Sequence, residues 1–305
     1  MTNRLIVILG PTASGKTELS IKLALRLSSG QAEKRFGING VEIVSADSRQ
    51  MYKGMDIGSG KITKKEMARI PHHLLDVASP KKRFSVAQYQ KLALAAIKKI
   101  QKKNKIPFLV GGSGFYIQAV ADGVLIPKAK PDWKLRKKLE KQSAEELFEE
   151  LKKIDPRRAK NIDRYNKRRL VRAIEITKKL GTVPPLSLPC PCFDVLFLGI
   201  KKDKNELKKL IEKRLLKRLK AGMIQEVKKL HKSGVSFKRL EEFGLEYRYI
   251  AQYLQKKIDY QEMIDKIQKE SEKFAKRQMT WFKKDKRIKW VKTYKKAEEL
   301  TKNFL

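Results

Sequence analysis

An α/β fold, a parallel sheet flanked by helices and carrying an all-helical insertion domain, is what this 305-residue sequence predicts. Three observations lead there. An apolar run, "LIVIL", leads into "GPTASGKT" and then into an amphipathic stretch, the strand–loop–helix order of a phosphate-binding P-loop. Short apolar runs go on alternating with helix-periodic segments through the first 122 residues, the alternation that builds parallel sheets. Near Pro127 the alternation stops, and each segment from there to Gly181 has helical character.

The elements follow in order. Behind the loop, Leu19, Leu23, Ala24 and Leu27 recur at helical spacing. "VEIVS" reads as a short strand ending at "ADSRQ". Ser85 opens a helix: Ser85 and Gln88 have the spacing of a capping box, and Val86, Tyr89, Ala93, Ile97 and Ile100 share one face. "IPFLV" is a buried-type strand that runs into "GGSGFY". In the insertion, Asp132 precedes one helix and Ser143 and Glu146 box a second. Pro156 follows an Asp155 cap, and "KRRLVRAIEITKKLG" ends on a glycine suited to a left-handed C-cap. Pro184, Pro185, Pro189 and Pro191 mark a linker, "FDVLFLGI" resumes a strand, and helices fill the rest. The expected boundaries are 1–122 for the first part of the core, 123–190 for the insertion and 191–305 for the second, mostly helical part of the core.

Composition narrows the function. No apolar run approaches the roughly 18 residues of a membrane span. The opening "MTNRLIVILGPT" lacks the build of a secretory signal, so a cytoplasmic protein is expected. A formal charge of +39 suits a polyanionic partner. It is spread as +14 over residues 1–120, +8 over 121–200 and +17 over 201–305, so a general lysine bias would look the same. Cys190 and Cys192 in "LPCPCFD" read as small apolar residues of a Pro-rich connection, since two ligands close no zinc site. His72, His73 and His231 form no metal-ligand cluster in sequence.

The chemistry starts at the loop. Its backbone N–H groups and the following helix N-terminus aim at an anion, Lys16 adds a point charge, and the Thr17 hydroxyl can ligate Mg²⁺. A nucleotide hydrolase or kinase also needs an apolar strand ending in Asp. "IPFLVGG" ends in glycines, "VLFLGIKKD" runs into lysines and "LLDVAS" is short, which argues against an ATP-driven enzyme. Asp47, just past the second strand, is either a proton acceptor beside the bound diphosphate or a turn residue. Arg214, at the edge of an apolar stripe, either reaches a buried anion or snorkels to solvent. "FAKRQMTWFKK" interleaves basic and aromatic side chains in a way that suits stacking on exposed bases, although Phe274, Gln278 and Trp281 also have core spacing. "NKRRLVR" is a basic run that suits either solvent or a binding site.

Together these segments resemble one family, the tRNA dimethylallyltransferases (tRNA isopentenyltransferases). The likeness runs through "GPTASGKT", "SADSRQMYKGMDIGS", "PHHLLDV", "FSVAQYQ", "PFLVGGSGFYI", "DPRRA", "RRLVRAIEI", "RLKAGMIQEVKKL", "FGLEYRY" and "AKRQMTWF". The resemblance implies transfer of a dimethylallyl group from dimethylallyl diphosphate to the exocyclic N6 amine of the adenosine on the 3′ side of the anticodon, tRNA position 37. It implies that Gly10, Thr12, Ala13, Ser14, Gly15, Lys16 and Thr17 cradle the donor diphosphate, with Arg214 facing it and Mg²⁺ near Thr17. Asp47 would be the general base. Contacts to tRNA would come from Asp47, Ser48, Arg49 and Gln50, from Ser113, from Arg168 and Arg169, from Phe243, Gly244, Tyr247 and Arg248, and from Lys276, Arg277, Gln278, Thr280 and Trp281. The insertion would grip the anticodon stem, and a monomer suffices. Ser113 stands where the family usually has Thr, "GSGKI" replaces a "GTAKP"-like run, and "SSGQAEKRFGINGVE" is longer than usual, as a surface loop would be. A P-loop kinase, a transferase acting on free adenylate and a non-catalytic RNA-binding module are the competing readings.

Overall fold

In the computed structural model, which describes residues 3–29, 34–68, 70–184 and 193–305, the chain divides into two compact units. Met1–Gly123 and Pro191–Leu305 make one unit and Val124–Cys190 the other. Cys190 and Cys192, with Pro185, Pro189 and Pro191 of the proposed linker, lie outside the described residues.

The larger unit is built on a six-stranded sheet of order β3-β2-β4-β1-β5-β6, every pairing parallel. Strand β1 (Arg4–Leu9) lies between β4 (Ile106–Gly111) and β5 (Asp194–Ile200). Covered on both faces, it is a continuous apolar run, as central parallel strands are. Its side chains alternate between two cores. Leu5, Val7 and Leu9 enter one with Tyr89, Ile97, Phe243 and Tyr247, whereas Ile6 and Ile8 enter the other with Leu23, Leu27 and Phe108. Helix α1 (Lys16–Leu27) follows β1 and buries Leu23, Ala24 and Leu27. Strand β2 (Val41–Ser45) is wholly buried, and helix α2 (Val86–Lys102) starts on a complete Ser85/Gln88 capping box. Helix α3 (Gly114–Ala121) begins directly after β4. The carboxyl ends of β1, β2 and β4 lead into Gly10, Ala46 and Gly112, so the loops carrying chemistry share one edge of the sheet.

Two strands were not legible in the sequence. Strand β3 (His72–His73) and strand β6 (Lys289–Val291) are the sheet's edges; the sequence reading assigned no element at the first and only helices around the second. A strand of two or three residues, half of it polar, carries no period for the sequence to display. Beyond β5 come α8 (Lys204–Lys220), α9 (Met223–Lys232), α10 (Phe237–Phe243), α11 (Leu245–Leu254), α12 (Tyr260–Phe282) and, after β6, α13 (Tyr294–Phe304).

The smaller unit holds α4 (Trp133–Leu139), α5 (Ala144–Ile154), α6 (Pro156–Ala159) and α7 (Lys167–Leu180) around Leu147, Leu151, Leu170 and Ile174. Each cap read from the sequence is formed: Asp132 on Leu135 N–H, the Ser143/Glu146 box, Asp155 ahead of Pro156, and Gly181 at φ 79°. Buried Glu175 accepts from Arg136 Nε at 2.9 Å and Asp132 N–H at 2.6 Å and pairs with Arg172, which ties α4 to α7.

Glu42 on β2 is 1% exposed and pairs with His73 at 2.8 Å, Lys105 at 3.0 Å and Lys103 at 3.1 Å. Burial alone would raise its carboxyl, but the hydrogen bonds from His73, Lys105 and Lys103 outweigh it and hold the group down to about 2. A depressed folded-state value stabilises the fold above the ordinary 4.5, and that stability is lost as pH falls toward about 2. Thermal melts of the parent protein and Glu42→Gln should therefore differ at neutral pH and converge through that acid window. A gap in melting temperature that stays constant with pH would show that the Glu42 charge does not matter.

Candidate active site

The loop between β1 and α1 is shaped for an anion. Ala13 and Gly15 both have positive φ, 61° and 90°, so successive amides turn inward as in an anion-binding nest. Glycine at position 15 makes that conformation inexpensive and supplies the N-terminus of α1, whose helix dipole adds to the attraction. The Ser14 hydroxyl is buried and lacks a hydrogen-bond partner. Buried polar groups are nearly always paired, so this one is poised for a ligand. Lys16 Nζ rests on the Pro11 carbonyl at 2.7 Å. Burial and the neighbouring Arg214 pull its pKa down to about 8, against the opposing pull of Asp47. Arg214 comes from α8, donates to the Thr12 hydroxyl, and is itself lowered to about 10 by burial and by Arg218. Of the two readings of Arg214, reaching inward is the one the structure takes. Two cations are thus crowded where both lose charge stabilisation, and a polyanion would restore it.

Asp47 lies two residues past β2 and lines one cavity with Lys16, Thr17, Ser45, Gln50 and His72; Ile43, Ile62 and Leu75 make its apolar wall. The Asp47 carboxylate accepts the Arg49 N–H at 2.8 Å, the turn geometry the sequence suggested, while also lining the cavity. The turn reading of Asp47 is therefore formed, and its carboxylate also borders the cavity. Ser48 N–H donates to the Ser113 hydroxyl at 3.0 Å, a bond that the hydroxyl of a threonine there could also accept. Arg49 is half-buried and donates to the Phe243 carbonyl at 2.8 Å. Gln50 donates to the Gly60 carbonyl at 3.0 Å. Strand β4, next to β1, ends in Gly111–Gly112 with no carboxylate at the place where a nucleotide hydrolase keeps its magnesium ligand.

Sequence reasoning missed the support beneath this wall. Glu226 of α9 accepts the backbone N–H groups of Asp56, Ile57 and Gly58 at 2.8, 2.6 and 3.0 Å, and the Tyr247 hydroxyl at 2.8 Å. Arg218 donates to the Gly58 carbonyl at 3.2 Å and pairs with Glu246 at 3.0 Å. Together they fix the 56–60 turn that holds Gln50. A lone Glu in an amphipathic helix gives no sign of this, because its partners are backbone atoms far away in the chain.

The residues expected to touch tRNA divide into two groups. Lys276, Arg277, Thr280 and Trp281 on α12 are exposed, as are Arg168 and Arg169 of the smaller unit. Arg248 and Gly244 are half-buried. Phe243, Tyr247 and Gln278, by contrast, are buried at 2%, 1% and 7% exposure. Phe243 packs edge-on against Tyr52 at 4.9 Å, and Tyr247 is engaged by Glu226. Their side chains support the site from within and offer tRNA no surface. Apolar and amide groups at helical spacing were the ambiguous part of the sequence pattern, and packing decided for the core. Among the described residues no group of three or more His, Cys, Asp and Glu could hold a metal. The Thr17 hydroxyl, on the first turn of α1, is a hard oxygen donor of the kind that suits Mg²⁺.

Comparison with known proteins agrees with this geometry. The IPP transferase family model matches residues 50–285. The chain is 42% identical over 288 residues to tRNA dimethylallyltransferase 1 of Syntrophus aciditrophicus strain SB, covering 93% of this chain and 90% of that protein. It is similar to the crystal structure of a tRNA isopentenylpyrophosphate transferase from Bacillus halodurans, at TM-score 0.71 and 34% identity over 99% of this chain and 95% of that one. A eukaryotic dimethylallyltransferase captured acting on tRNA superposes at TM-score 0.74 and 26% identity, over 91% of this chain and 69% of that one.

Burial and Arg214 bring the Lys16 ammonium down to about 8, so it begins to give up its proton near that pH. An anion bound there stabilises the charged form, so binding near that pH takes up a proton. Calorimetric titration with inorganic diphosphate should show affinity falling as pH rises through this value, and Lys16→Met should bind weakly with a flatter profile. An unchanged profile in Lys16→Met would remove Lys16 from the anion site.

Proposed function

The chain belongs to the tRNA dimethylallyltransferase (IPP transferase) family, and from that premise we propose how its residues divide the work. The reaction moves a dimethylallyl group from dimethylallyl diphosphate onto N6 of adenosine 37 in tRNA and releases diphosphate. One observation carries the assignment of roles: an anion loop with an unpartnered buried hydroxyl at Ser14, and a carboxylate, Asp47, lining the same cavity as Lys16.

The donor diphosphate sits on the amides of the Gly10–Thr17 loop, with Lys16 and Arg214 as its counter-charges and the Ser14 hydroxyl as a further donor. The Thr17 hydroxyl would hold Mg²⁺, which would supply neutralising charge to the leaving diphosphate. The adenine amine attacks the allylic carbon, the carbon–oxygen bond to the diphosphate breaks, and its electron pair leaves on the diphosphate oxygen. Positive charge on carbon and negative charge on the leaving group both grow on the way, and Lys16, Arg214 and the loop amides stabilise the latter. Asp47 accepts the proton that N6 loses. For the amine to reach this cavity the base leaves its stack. The exposed Lys276, Arg277 and Trp281 on α12 suit the phosphates and splayed bases of the anticodon loop, and Arg168 and Arg169 suit the stem. No helix among the described residues is long and apolar enough to cross a membrane, in keeping with a cytoplasmic enzyme.

Transfer of radiolabel from dimethylallyl diphosphate to unmodified tRNA, with Mg²⁺ and no ATP, tests the reading; AMP as acceptor runs in parallel. Label in tRNA alone is expected, and label in AMP would point to a free-nucleotide acceptor. Asp47→Ala should keep tRNA affinity and lose at least about 100-fold in turnover, the range for a general base. Full turnover would exclude Asp47 as the base. Affinity for tRNA should also fall steeply between low and high salt; a flat response would mean that the basic surface is not the binding face.

A further inference from the structure

Gln278 is one of the residues expected to meet tRNA, yet it points the other way. Its Oε1 accepts the Thr12 N–H at 2.8 Å and its Nε2 donates to the Gly112 carbonyl at 2.8 Å. Thr12 belongs to the anion loop and carries Arg214 on its hydroxyl. Gly112 leads into Ser113, whose N–H donates to the Ala46 carbonyl at 3.2 Å and whose hydroxyl accepts the Ser48 N–H at 3.0 Å. Asp47 lies between those two anchors. One continuous chain of hydrogen bonds therefore runs from Arg214 through Thr12, Gln278 and the 112–113 turn to the backbone on both sides of Asp47.

We infer that Gln278 is a positioning residue that holds the donor loop in register with Asp47, and so fixes the distance between the leaving diphosphate and the group that takes the proton. The inference rests on Asp47 acting as the base. Only a primary amide suits the place, because it ends in one acceptor and one donor side by side; glutamate has no donor and methionine has neither. The surroundings are cut to fit it. Position 112 has no side chain, and a Cβ there would overlap Gln278 Nε2. One turn further along α12, Trp281 lies against Gly114 in the same way. The inner side of α12 braces the site while the outer side carries the exposed Lys276, Arg277 and Thr280. The basic helix is thus fastened directly to the donor loop.

Two changes break the bridge from opposite ends: Gln278→Met removes the amide, and Gly112→Ala displaces it without altering Gln278. Steady-state kinetics on the full-length protein, run well below each variant's melting temperature, should show kcat reduced about 100-fold in both, the scale of a 1 Å misplacement. KM for the donor and affinity for tRNA should hold. The double variant should be no slower than either single one, because both remove the same link. An unchanged kcat, a loss confined to tRNA affinity, or losses that multiply in the double variant would each overturn the inference. Parent protein and Asp47→Ala are assayed alongside. A fully active Asp47→Ala would instead remove the base, and with it the far end of the bridge.

Discussion

Keeping Lys16 and Arg214 together beside the end of the sheet is costly, and much of the core unit exists to make it possible. Each cation is partly stripped of water and each raises the cost of the other, as their lowered pKa values record. The structure answers with backbone dipoles more than with carboxylates. The loop amides and the α1 terminus face the same space, and Asp47 is the acid that lines the cavity with Lys16. That leaves a deficit of negative charge, which suits a ligand bringing several of its own. A site with its cations already paired to Asp and Glu would be more stable when empty, and would bind diphosphate less well.

The opposite solution appears one layer behind. Glu226 is surrounded by four donors and Arg218 is paired with Glu246. Here charge is fully met, and the result is a fixed turn. Around the site, satisfied networks hold the walls, while the Ser14 hydroxyl in the anion loop has no partner. Such a division is expected where binding energy must go to the substrate and rigidity must come from elsewhere.

What the sequence made legible was local. Ser85 with Gln88, Ser143 with Glu146, Asp155 before Pro156, and Gly181 at a helix end all state their structure within a few residues, and all are formed. The Gly10–Thr17 loop is legible for the same reason, since its geometry is written into its own glycines and lysine. Strands β3 and β6 were not, because two or three residues at a sheet edge are defined by their neighbour and not by their own pattern. Glu226 and Gln278 were illegible as supports for a related reason: the main-chain atoms they hold are 166 or more residues away. Phe243 and Tyr247 fell between these cases. Sequence marked them as important, and only the packing shows that they face inward.

The bridge from Thr12 to Gln278 spans 266 residues. During synthesis at about 5–20 residues per second, the donor loop therefore waits on the order of tens of seconds for its brace. Until residue 200 has been made β1 also lacks β5, so for much of that interval the nascent chain presents the Gly-rich loop on an unfinished sheet edge. A messenger cut short before α12 would yield a product with the complete loop motif and no means of aligning it. The hydrogen bond that braces the loop thus forms only once α12 has been made.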